Sequence, residues 1–215
     1  MRLLWLSHLV PYPPKGGLLQ RSYYLLREAA KRHEVDLVAL VQPAHQKSQE
    51  ELAYAEGQLK EFCRDVETFW IESDLKPWGR PLLLTRTLFS SRPYDVNWFD
   101  VPELEEHLER RDTKYDLLHV DTVGLTQYAE TISSPLVLNH HNIESQMMAD
   151  RAEQEVNPLT RFYMKREARK LAQWERQWAD RAAANLVVSQ LDRERLFNRA
   201  KQAQAAVVEN GVDID

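Results

Sequence analysis

The chain opens with Arg2-Leu-Leu-Trp-Leu-Ser7, continues through Pro11-Tyr-Pro-Pro-Lys-Gly-Gly17, and then enters an amphipathic segment that runs from Leu18 to about His33. The first stretch is a short apolar run, which is typical of a strand covered on both faces. Prolines and paired glycines mark a loop. The apolar residues after Leu18 recur at helical spacing. The sequence therefore begins with a strand, a loop and a helix, which is the first unit of a parallel sheet.

The same alternation of strand and helix continues along the chain. Further strands are predicted over residues 35–41, 66–71, 116–120, 135–139, 185–189 and 205–208. Helices are predicted over residues 47–62, 78–89, 102–111, 124–130, 158–181 and 192–200. This pattern predicts an α/β fold, a doubly wound and mostly parallel Rossmann-like sheet, in one domain over residues 1–215. In such sheets ligands bind where the strands end, so the loops at the carboxyl ends of the strands are the places to look for a site.

Composition excludes several classes of protein. Of the 215 residues, 43% are hydrophobic and 28% are charged, which is ordinary for a globular domain. The net charge of −5 argues against a nucleic-acid partner. Cys63 is the one cysteine, so an internal disulfide and a cysteine-based zinc cage are excluded. The N-terminus does not resemble a signal peptide, and we expect a cytoplasmic protein.

The glycine loop after the first strand is the first candidate site. Gly16 and Gly17 would let a backbone approach a ligand closely, and the helix that follows favours an anion at its N-terminus. The loop has neither the G-x-G-x-x-G pattern nor the Gly-Lys-Ser/Thr of a phosphate-binding loop, which argues against an NAD or ATP site. A tight turn that needs glycine explains the same residues, and the pattern leaves both interpretations open.

The second candidate site is His140-His-Asn-Ile-Glu-Ser145, directly after a predicted strand. Histidine is the side chain best suited to exchange protons or donate a hydrogen bond near neutral pH. One histidine that packs or caps the next helix is the alternative. The H-H-x-x-E spacing is not a known zinc pattern, so we expect no metal. Asp116, His119 and Asp121 flank the preceding strand, but no serine lies in a G-x-S-x-G elbow, so we set a hydrolase aside.

The predicted helix over residues 158–181 is rich in basic residues and carries Trp174 and Trp178 four positions apart. The favoured interpretation is a solvated helix with a buried aromatic stripe. A face that contacts anionic membrane lipid is the alternative.

Several short motifs, taken in order, resemble the N-terminal domain of family 4-like glycosyltransferases. The similarity is closest to bacterial sugar transferases associated with exopolysaccharide synthesis. It begins with Pro11 to Gly17, Arg21-Ser-Tyr-Tyr-Leu-Leu-Arg27 and His33 to Leu40. It continues through Arg92-Pro-Tyr94, Arg166-Glu-Ala-Arg-Lys-Leu171 with Glu175, Val187-Val-Ser189 and Val208-Glu-Asn-Gly-Val-Asp213. The resemblance thus covers nearly the whole chain.

The resemblance implies a GT-B enzyme with two Rossmann-like domains. The N-terminal domain holds the acceptor, and the C-terminal domain, which we expect to be absent from this chain, holds the nucleotide-sugar donor. The implied reaction is a retaining transfer of a sugar from that donor to a glycan or lipid-linked acceptor, without a cofactor or a metal. We expect the isolated domain to be inactive and to expose an apolar interdomain face through which it can self-associate. Contact with the inner face of the plasma membrane is left open.

The resemblance also implies roles for particular residues. His141 takes the position of a histidine near the donor sugar and acceptor, so it is the predicted catalytic residue. Gly16 and Gly17 match the glycine-rich loop near the donor phosphates and acceptor. The remaining predicted substrate-binding residues are Arg21, His140, Asn142 and Glu144. Two alternatives stay open, a non-catalytic α/β binding module and half of a GT-B nucleotide-sugar epimerase.

Overall fold

A computed structural model describes residues 1–46 and 48–211 of the chain. Within them, seven strands form one sheet in the order β3-β2-β1-β4-β5-β6-β7, and every neighbouring pair is parallel. The strands are β1 (Arg2–Ser7), β2 (Glu34–Val41), β3 (Asp65–Trp70), β4 (Leu117–Val120), β5 (Leu136–Asn139), β6 (Ala184–Val187) and β7 (Ala205–Val207). The predicted doubly wound α/β sheet is confirmed. The strand order reverses at β1, which therefore marks the switch point where ligands bind in such sheets.

The helices of the described residues connect these strands. They are α1 (Gly17–Ala30), α2 (Gln49–Lys60), α3 (Glu72–Leu75), α4 (Gly79–Phe89), α5 (Tyr94–Trp98), α6 (Pro102–Glu109), α7 (Glu144–Gln154), α8 (Pro158–Arg181) and α9 (Gln190–Arg199). The segment after β4, predicted as a helix, is a 3₁₀ helix over Val123–Glu130. The sequence patterns did not predict α3, α5 and α7. No helix in the described part of the chain is long and apolar enough to cross a bilayer.

Two ends of predicted features lie outside the described residues. Lys47, the first residue of the helix predicted over residues 47–62, is one of them. Val212 and Asp213, which end the last motif of the resemblance, also lie outside the described residues. The described part of that helix, α2, begins at Gln49 and is capped by Ser48, whose hydroxyl accepts a hydrogen bond from the Glu51 amide at 3.1 Å.

The two faces of the sheet carry separate cores, as the side-chain alternation of a strand requires. Leu4 and Leu6 of β1 lie in a cluster on one face, together with Leu171 and Trp178 of α8. Leu3 and Trp5 lie in the cluster on the other face, which α1 and α2 cover. Burying one such side chain contributes about 1.5–3 kcal/mol. Coverage on both faces explains why β1 has an almost continuous apolar sequence.

The pair α7–α8 extends beyond the carboxyl edge of the sheet. The amide of Glu144, where α7 begins, donates to Glu175 of α8 at 3.1 Å, so these two positions lie side by side. At about 1.5 Å per residue, Pro158 is roughly 25 Å from Glu175 along the helix axis. From Glu175 onward α8 runs down to β6. Its first half therefore projects past the edge, and there the Tyr163 hydroxyl lies 2.9 Å from the Thr87 hydroxyl of α4.

Candidate functional site

The candidate site lies at the carboxyl edge of three adjacent strands, β1, β4 and β5. His8 follows β1, Asp121 follows β4, and Asn139 and His141 lie at the end of β5. Both candidate loops of the sequence were predicted to lie on this edge, and the structure confirms it. Arg21, in the second turn of the helix that follows the glycine loop, donates hydrogen bonds to the Asn139 side-chain oxygen at 3.0 and 3.3 Å.

Asp121 is the centre of the site. It is fully buried, and one carboxylate oxygen accepts a hydrogen bond from the Ser22 hydroxyl at 2.5 Å. The other oxygen accepts from the Asn139 side-chain amide at 2.6 Å and bonds to the His141 Nε2 at 3.1 Å. Burial raises the pKa of Asp121, but the charge and hydrogen bond of His141 outweigh this and hold the pKa well below its usual range. The carboxylate is therefore ionised at neutral pH.

An ionised Asp121 fixes the tautomer of His141. A carboxylate can only accept, so the His141 Nε2 must carry its hydrogen and donate to Asp121. No group of the described residues is hydrogen-bonded to the other ring nitrogen, Nδ1, so Nδ1 is available to a ligand. The orientation of Asn139 is fixed in the same way, because Arg21 donates to its oxygen and its amide nitrogen must therefore face Asp121. A continuous hydrogen-bonded path thus runs from Arg21 through Asn139 and Asp121 to His141.

His8 is a further member of the site, and the sequence patterns missed it. Its ring lies edge-on to the ring of His141, with centroids 5.8 Å apart. Burial lowers the pKa of His8 to about 4, with Asp121 opposing and His141 adding to the shift, so its ring is neutral at neutral pH. The Nδ1 of His8 is buried, and no described group is hydrogen-bonded to it. The signal that could have found His8 is its position, directly after a central strand.

His8, Asp121 and His141 could also hold a metal ion. Their candidate ligand atoms lie within 4.8 Å of one another. However, the Asp121 oxygens already accept hydrogen bonds from Ser22 and Asn139 as well as from His141. These donors stabilise the buried carboxylate without an ion, which is consistent with the expected metal-free site. That expectation stays a prediction.

The fold requires glycine at only one of the two positions in the first loop. Gly16 has φ +85°, a conformation that disfavours any residue with a Cβ atom. Gly17, where α1 begins, has no such φ, and a Cβ atom placed there would meet nothing within 4 Å. The chain itself therefore does not demand glycine at position 17. A ligand that approaches the backbone at the start of α1 would explain it.

Arg21 and His140 are buried and occupied within the protein. The Arg21 guanidinium donates to the Val208 carbonyl at 2.6 Å and to the Asn210 side chain at 3.0 Å, besides Asn139. The His140 Nε2 lies 3.0 Å from the Asn185 side-chain oxygen, and burial lowers the pKa of His140 to about 4. We assign both a positioning role. Direct contact of either residue with substrate, as the resemblance implies, stays a prediction.

Glu144 and Asn142 lie where the loop after β5 leads into α7. Asn142 is exposed, whereas Glu144 is partly buried and accepts a hydrogen bond from the Thr122 hydroxyl. Burial, together with Asp95 and Glu175, raises the pKa of Glu144 to about 8. The pKa of Asp95 rises to about 6, through burial and the charge of Glu167. Glu144 is therefore protonated at neutral pH and can donate a hydrogen bond, a property that no sequence pattern revealed.

Comparison with known proteins identifies the class to which this fold and site belong. Residues 15–215 match the profile of Glycosyltransferase Family 4, so the chain belongs to that family. The resemblance inferred from the motifs is thereby confirmed at the level of the family.

Among solved structures, the chain is similar to Anabaena Alr3699/HepE, whose crystal structure is in complex with UDP and glucose. The identity is 18% and the TM-score 0.48, over 100% of this chain and 45% of the other. The chain thus spans less than half the length of that protein. No curated protein sequence matches the chain significantly.

Proposed function

We propose that the chain forms the acceptor-side part of a retaining glycosyltransferase. The enzyme moves a sugar from a nucleotide-sugar donor to a glycan or lipid-linked acceptor during the synthesis of a bacterial polysaccharide, on the cytoplasmic side of the membrane. Membership of Glycosyltransferase Family 4 supports the transferase activity. The observation that carries the assignment of the site is the Asp121–His141 pair at the switch point of the sheet, on the same edge as the start of α1.

The proposed catalytic residue is His141. Asp121 holds its ring in one orientation and one tautomer, as a buried carboxylate does for a catalytic histidine in hydrolases. The Nδ1 that faces away from Asp121 then forms a hydrogen bond with a hydroxyl of the donor sugar or the acceptor. Preorganised groups of this kind stabilise charge that develops in the transition state, and one such contact supplies about 10² to 10³ in rate.

The start of α1 is the proposed contact for the donor phosphates. The first amides of a helix have no partners within the helix, and the aligned peptide dipoles favour an anion there. Gly16 cannot cap these amides with a side chain, and the first turn of α1 carries no acidic residue. In a retaining transfer the phosphate leaves on the face that the acceptor attacks. Fixed dipoles and cations, rather than a protein nucleophile, would stabilise its charge.

The test uses the enzyme expressed from its complete gene. The protein is incubated with a panel of UDP- and GDP-linked sugars, and nucleotide release and the anomeric configuration of the first product are measured. We expect release with one donor and a product that keeps the donor configuration. The variants His141→Asn and Asp121→Asn should lose most of this activity. His33→Asn, at the opposite edge of the sheet just before β2, is the matched control and should keep it.

Two results would contradict the proposal. Normal transfer by both site variants would remove the Asp121–His141 pair from the catalytic centre. If the folded wild-type enzyme turned over no nucleotide sugar, the alternative of a non-catalytic binding module would be favoured.

A further inference from the structure

A cleft of about 290 Å³ lies at the carboxyl end of β3, between α3, α4 and α5, outside the candidate site. Its lining includes the buried apolar side chains of Ile71, Leu83 and Val101. The volume is close to the lower end of the roughly 300–1,000 Å³ that is typical of small-molecule sites. Such sites combine an apolar lining with a few well-placed polar groups. The feature is here called the α3–α5 cleft.

The close packing of α3 against α4 fixes the shape of the cleft. A Cβ atom at Gly79, where α4 begins, would lie 2.1 Å from the carbonyl oxygen of Ser73, so only glycine allows the two helices to come this close. Leu83 and Arg86 lie on the same face of α4 as Gly79, because they are four and seven residues further along. One face of α4 therefore lines the cleft over two turns of the helix.

The Trp98 indole forms a rigid wall of the cleft. Its Nε1 donates to the Asp74 carboxylate at 3.2 Å, and its ring is stacked on the ring of Phe99 with centroids 4.8 Å apart. Because its polar nitrogen is already bonded, Trp98 offers the cleft an apolar surface. Aromatic rings supply a large contact area to a ligand at a low cost in conformational entropy.

The Asn97 side chain supplies an acceptor that has no partner. Asn97 lines the cleft and is only 4% exposed. Its side-chain nitrogen donates to the carbonyl oxygens of Arg92 at 3.0 Å and Pro93 at 2.8 Å, which fixes the orientation of the amide. Its side-chain oxygen therefore points the other way, and no described residue donates to it. This oxygen is available to a hydroxyl group of a ligand.

The charged side chains of the cleft neutralise one another. Arg86 forms an ion pair with Asp100, and Lys76 forms one with Glu72. All four of these residues line the cleft, so its two cations are balanced by two anions. A phosphate or a carboxylate would find no unpaired cation among these groups. The cleft therefore favours a neutral ligand that both donates and accepts hydrogen bonds.

Aromatic contacts connect the cleft to the candidate site. The Phe99 ring that stacks on Trp98 also lies near the ring of His8, with centroids 5.8 Å apart. Only β2 separates β3 from β1, so the ends of these two strands are about 10 Å apart. A ligand in the cleft would therefore lie beside the centre formed by Asp121 and His141, and not within it.

We infer that the α3–α5 cleft binds a neutral sugar ring of the acceptor, next to the ring that receives the transferred sugar. A sugar ring has apolar C–H faces, which suit the Trp98 wall, and a rim of hydroxyl groups that donate and accept. Asn97 accepts from one hydroxyl, and Arg86 donates to another. The inference rests on the proposed function for the identity of the ligand as an acceptor, whereas the binding of a sugar is measured without transfer.

The test is saturation-transfer NMR of the protein with four neutral disaccharides, namely maltose, cellobiose, laminaribiose and mannobiose. We expect at least one of them to bind. Trp98→Leu and Arg86→Gln should each raise its Kd about tenfold, because each substitution removes one contact with the sugar. Arg86 is exposed at the rim of the cleft, so Arg86→Gln tests the cleft even where Trp98→Leu lowers stability.

The matched controls carry the same substitutions outside the cleft. Trp78→Leu replaces a tryptophan that is 80% exposed, and Arg110→Gln removes one partner of an exposed ion pair with Glu106. Both should bind like the wild type, and thermal melts show whether each variant is folded.

Three results would overturn the inference. They are failure of all four disaccharides to bind, equal binding by the cleft variants and the controls, and tighter binding of UMP or glucuronic acid that Trp98→Leu removes. Disaccharide binding that depends on the cleft, by a protein whose complete enzyme transfers no sugar, would support the sugar site and contradict the proposed function alone.

Discussion

The carboxyl group of Glu144 offers a quantitative test of the acidic cluster beside the site. Its pKa in the folded protein is raised to about 8, first by burial and then by Asp95 and Glu175. A glutamate in an unfolded chain has a pKa of about 4.3. A pKa that folding raises contributes stability at low pH, and this contribution is lost as the pH rises through the folded value. The free energy of unfolding should therefore fall between about pH 4 and pH 8.

Three histidines whose pKa is lowered act in the opposite sense at lower pH. Burial lowers the pKa of His8, His119 and His140 to about 4, so they are neutral in the folded protein. In the unfolded chain they become charged below about pH 6.5. Their contribution to stability is present above that pH and is lost as the pH falls toward about 4. Most of their effect lies below about pH 6.5, and the remainder is the same in the wild type and in a variant of Glu144. Comparing the two proteins between about pH 6.5 and about pH 8.5 therefore isolates the effect of Glu144.

The expected change within this window follows from the linkage relation. One pKa unit corresponds to about 1.4 kcal/mol, and over the first 1.5 units or so only the unfolded form of Glu144 is ionised. The contribution of Glu144 to the unfolding free energy of the wild type should fall by about 2 kcal/mol there. Glu144→Gln keeps an oxygen that accepts from Thr122 but cannot ionise. The stability of the variant relative to wild type should therefore grow by about 2 kcal/mol from the lower to the higher pH.

Urea denaturation followed by tryptophan fluorescence measures both proteins across the window. Glu153→Gln is the matched control, since Glu153 is exposed on the same helix, α7. The control should run parallel to the wild type at all pH values. If Glu144→Gln also runs parallel, Glu144 is ionised in the folded protein, and its assignment as a hydrogen-bond donor is wrong.

Three further predictions address the rest of the site. In the full-length enzyme, His141→Asn should lower kcat about 10² to 10³-fold with little change in donor KM or melting temperature, and normal kcat in a stable variant would exclude a catalytic role. Gly16→Ala should cost about 1–2 kcal/mol because of its positive φ, whereas Gly17→Ala should leave stability unchanged or slightly raised and weaken donor binding, as calorimetry would show. Zinc or a chelator should leave the melting temperature unchanged, and a zinc-induced rise that His8→Ala removes would instead identify a metal centre.

The strands could be predicted from sequence because the sheet is buried on both faces. β1 and β2 carry nearly continuous apolar runs of 6 and 8 residues, a length that favours a buried strand over a buried helix. The ends of the strands were predicted less accurately than the strands themselves, for a local reason. The strand predicted to end at Ser189 ends at Val187, because the Ser189 hydroxyl caps α9 by accepting from the Asp192 amide at 3.1 Å.

The helices of the connections depend on packing that the sequence does not display. α3 and α5 are four and five residues long, too short for a helical period to appear. The segment Val123–Glu130 forms a 3₁₀ helix in close contact with its neighbours. At Gly124, a Cβ atom would lie 2.7 Å from the ring of Phe99. Such contacts between distant parts of the chain decide the local conformation there.

Only part of the candidate site could be predicted, because the rest also depends on contacts between distant parts of the chain. The glycines and His141 were found because they follow predicted strands. Asp121 was noticed only as a hydrolase candidate, since its pairing with His141 requires β4 and β5 to be neighbours, which follows from the sheet order and not from either motif. No sequence pattern pointed to His8.

The hydrogen bonds of Arg21 make the alignment of His141 sensitive to the far end of the chain. The same guanidinium that holds Asn139 in place also binds the main chain at Val208 and the side chain of Asn210. If residues 208–210 shifted, Arg21 would lose its anchor, Asn139 would be free to rotate, and Asp121 would lose one of its donors. A displacement of residues 208–210 would thus reach the imidazole ring of His141 through the side chains of Arg21, Asn139 and Asp121. The segment is coupled to the site although none of its residues lies in the site.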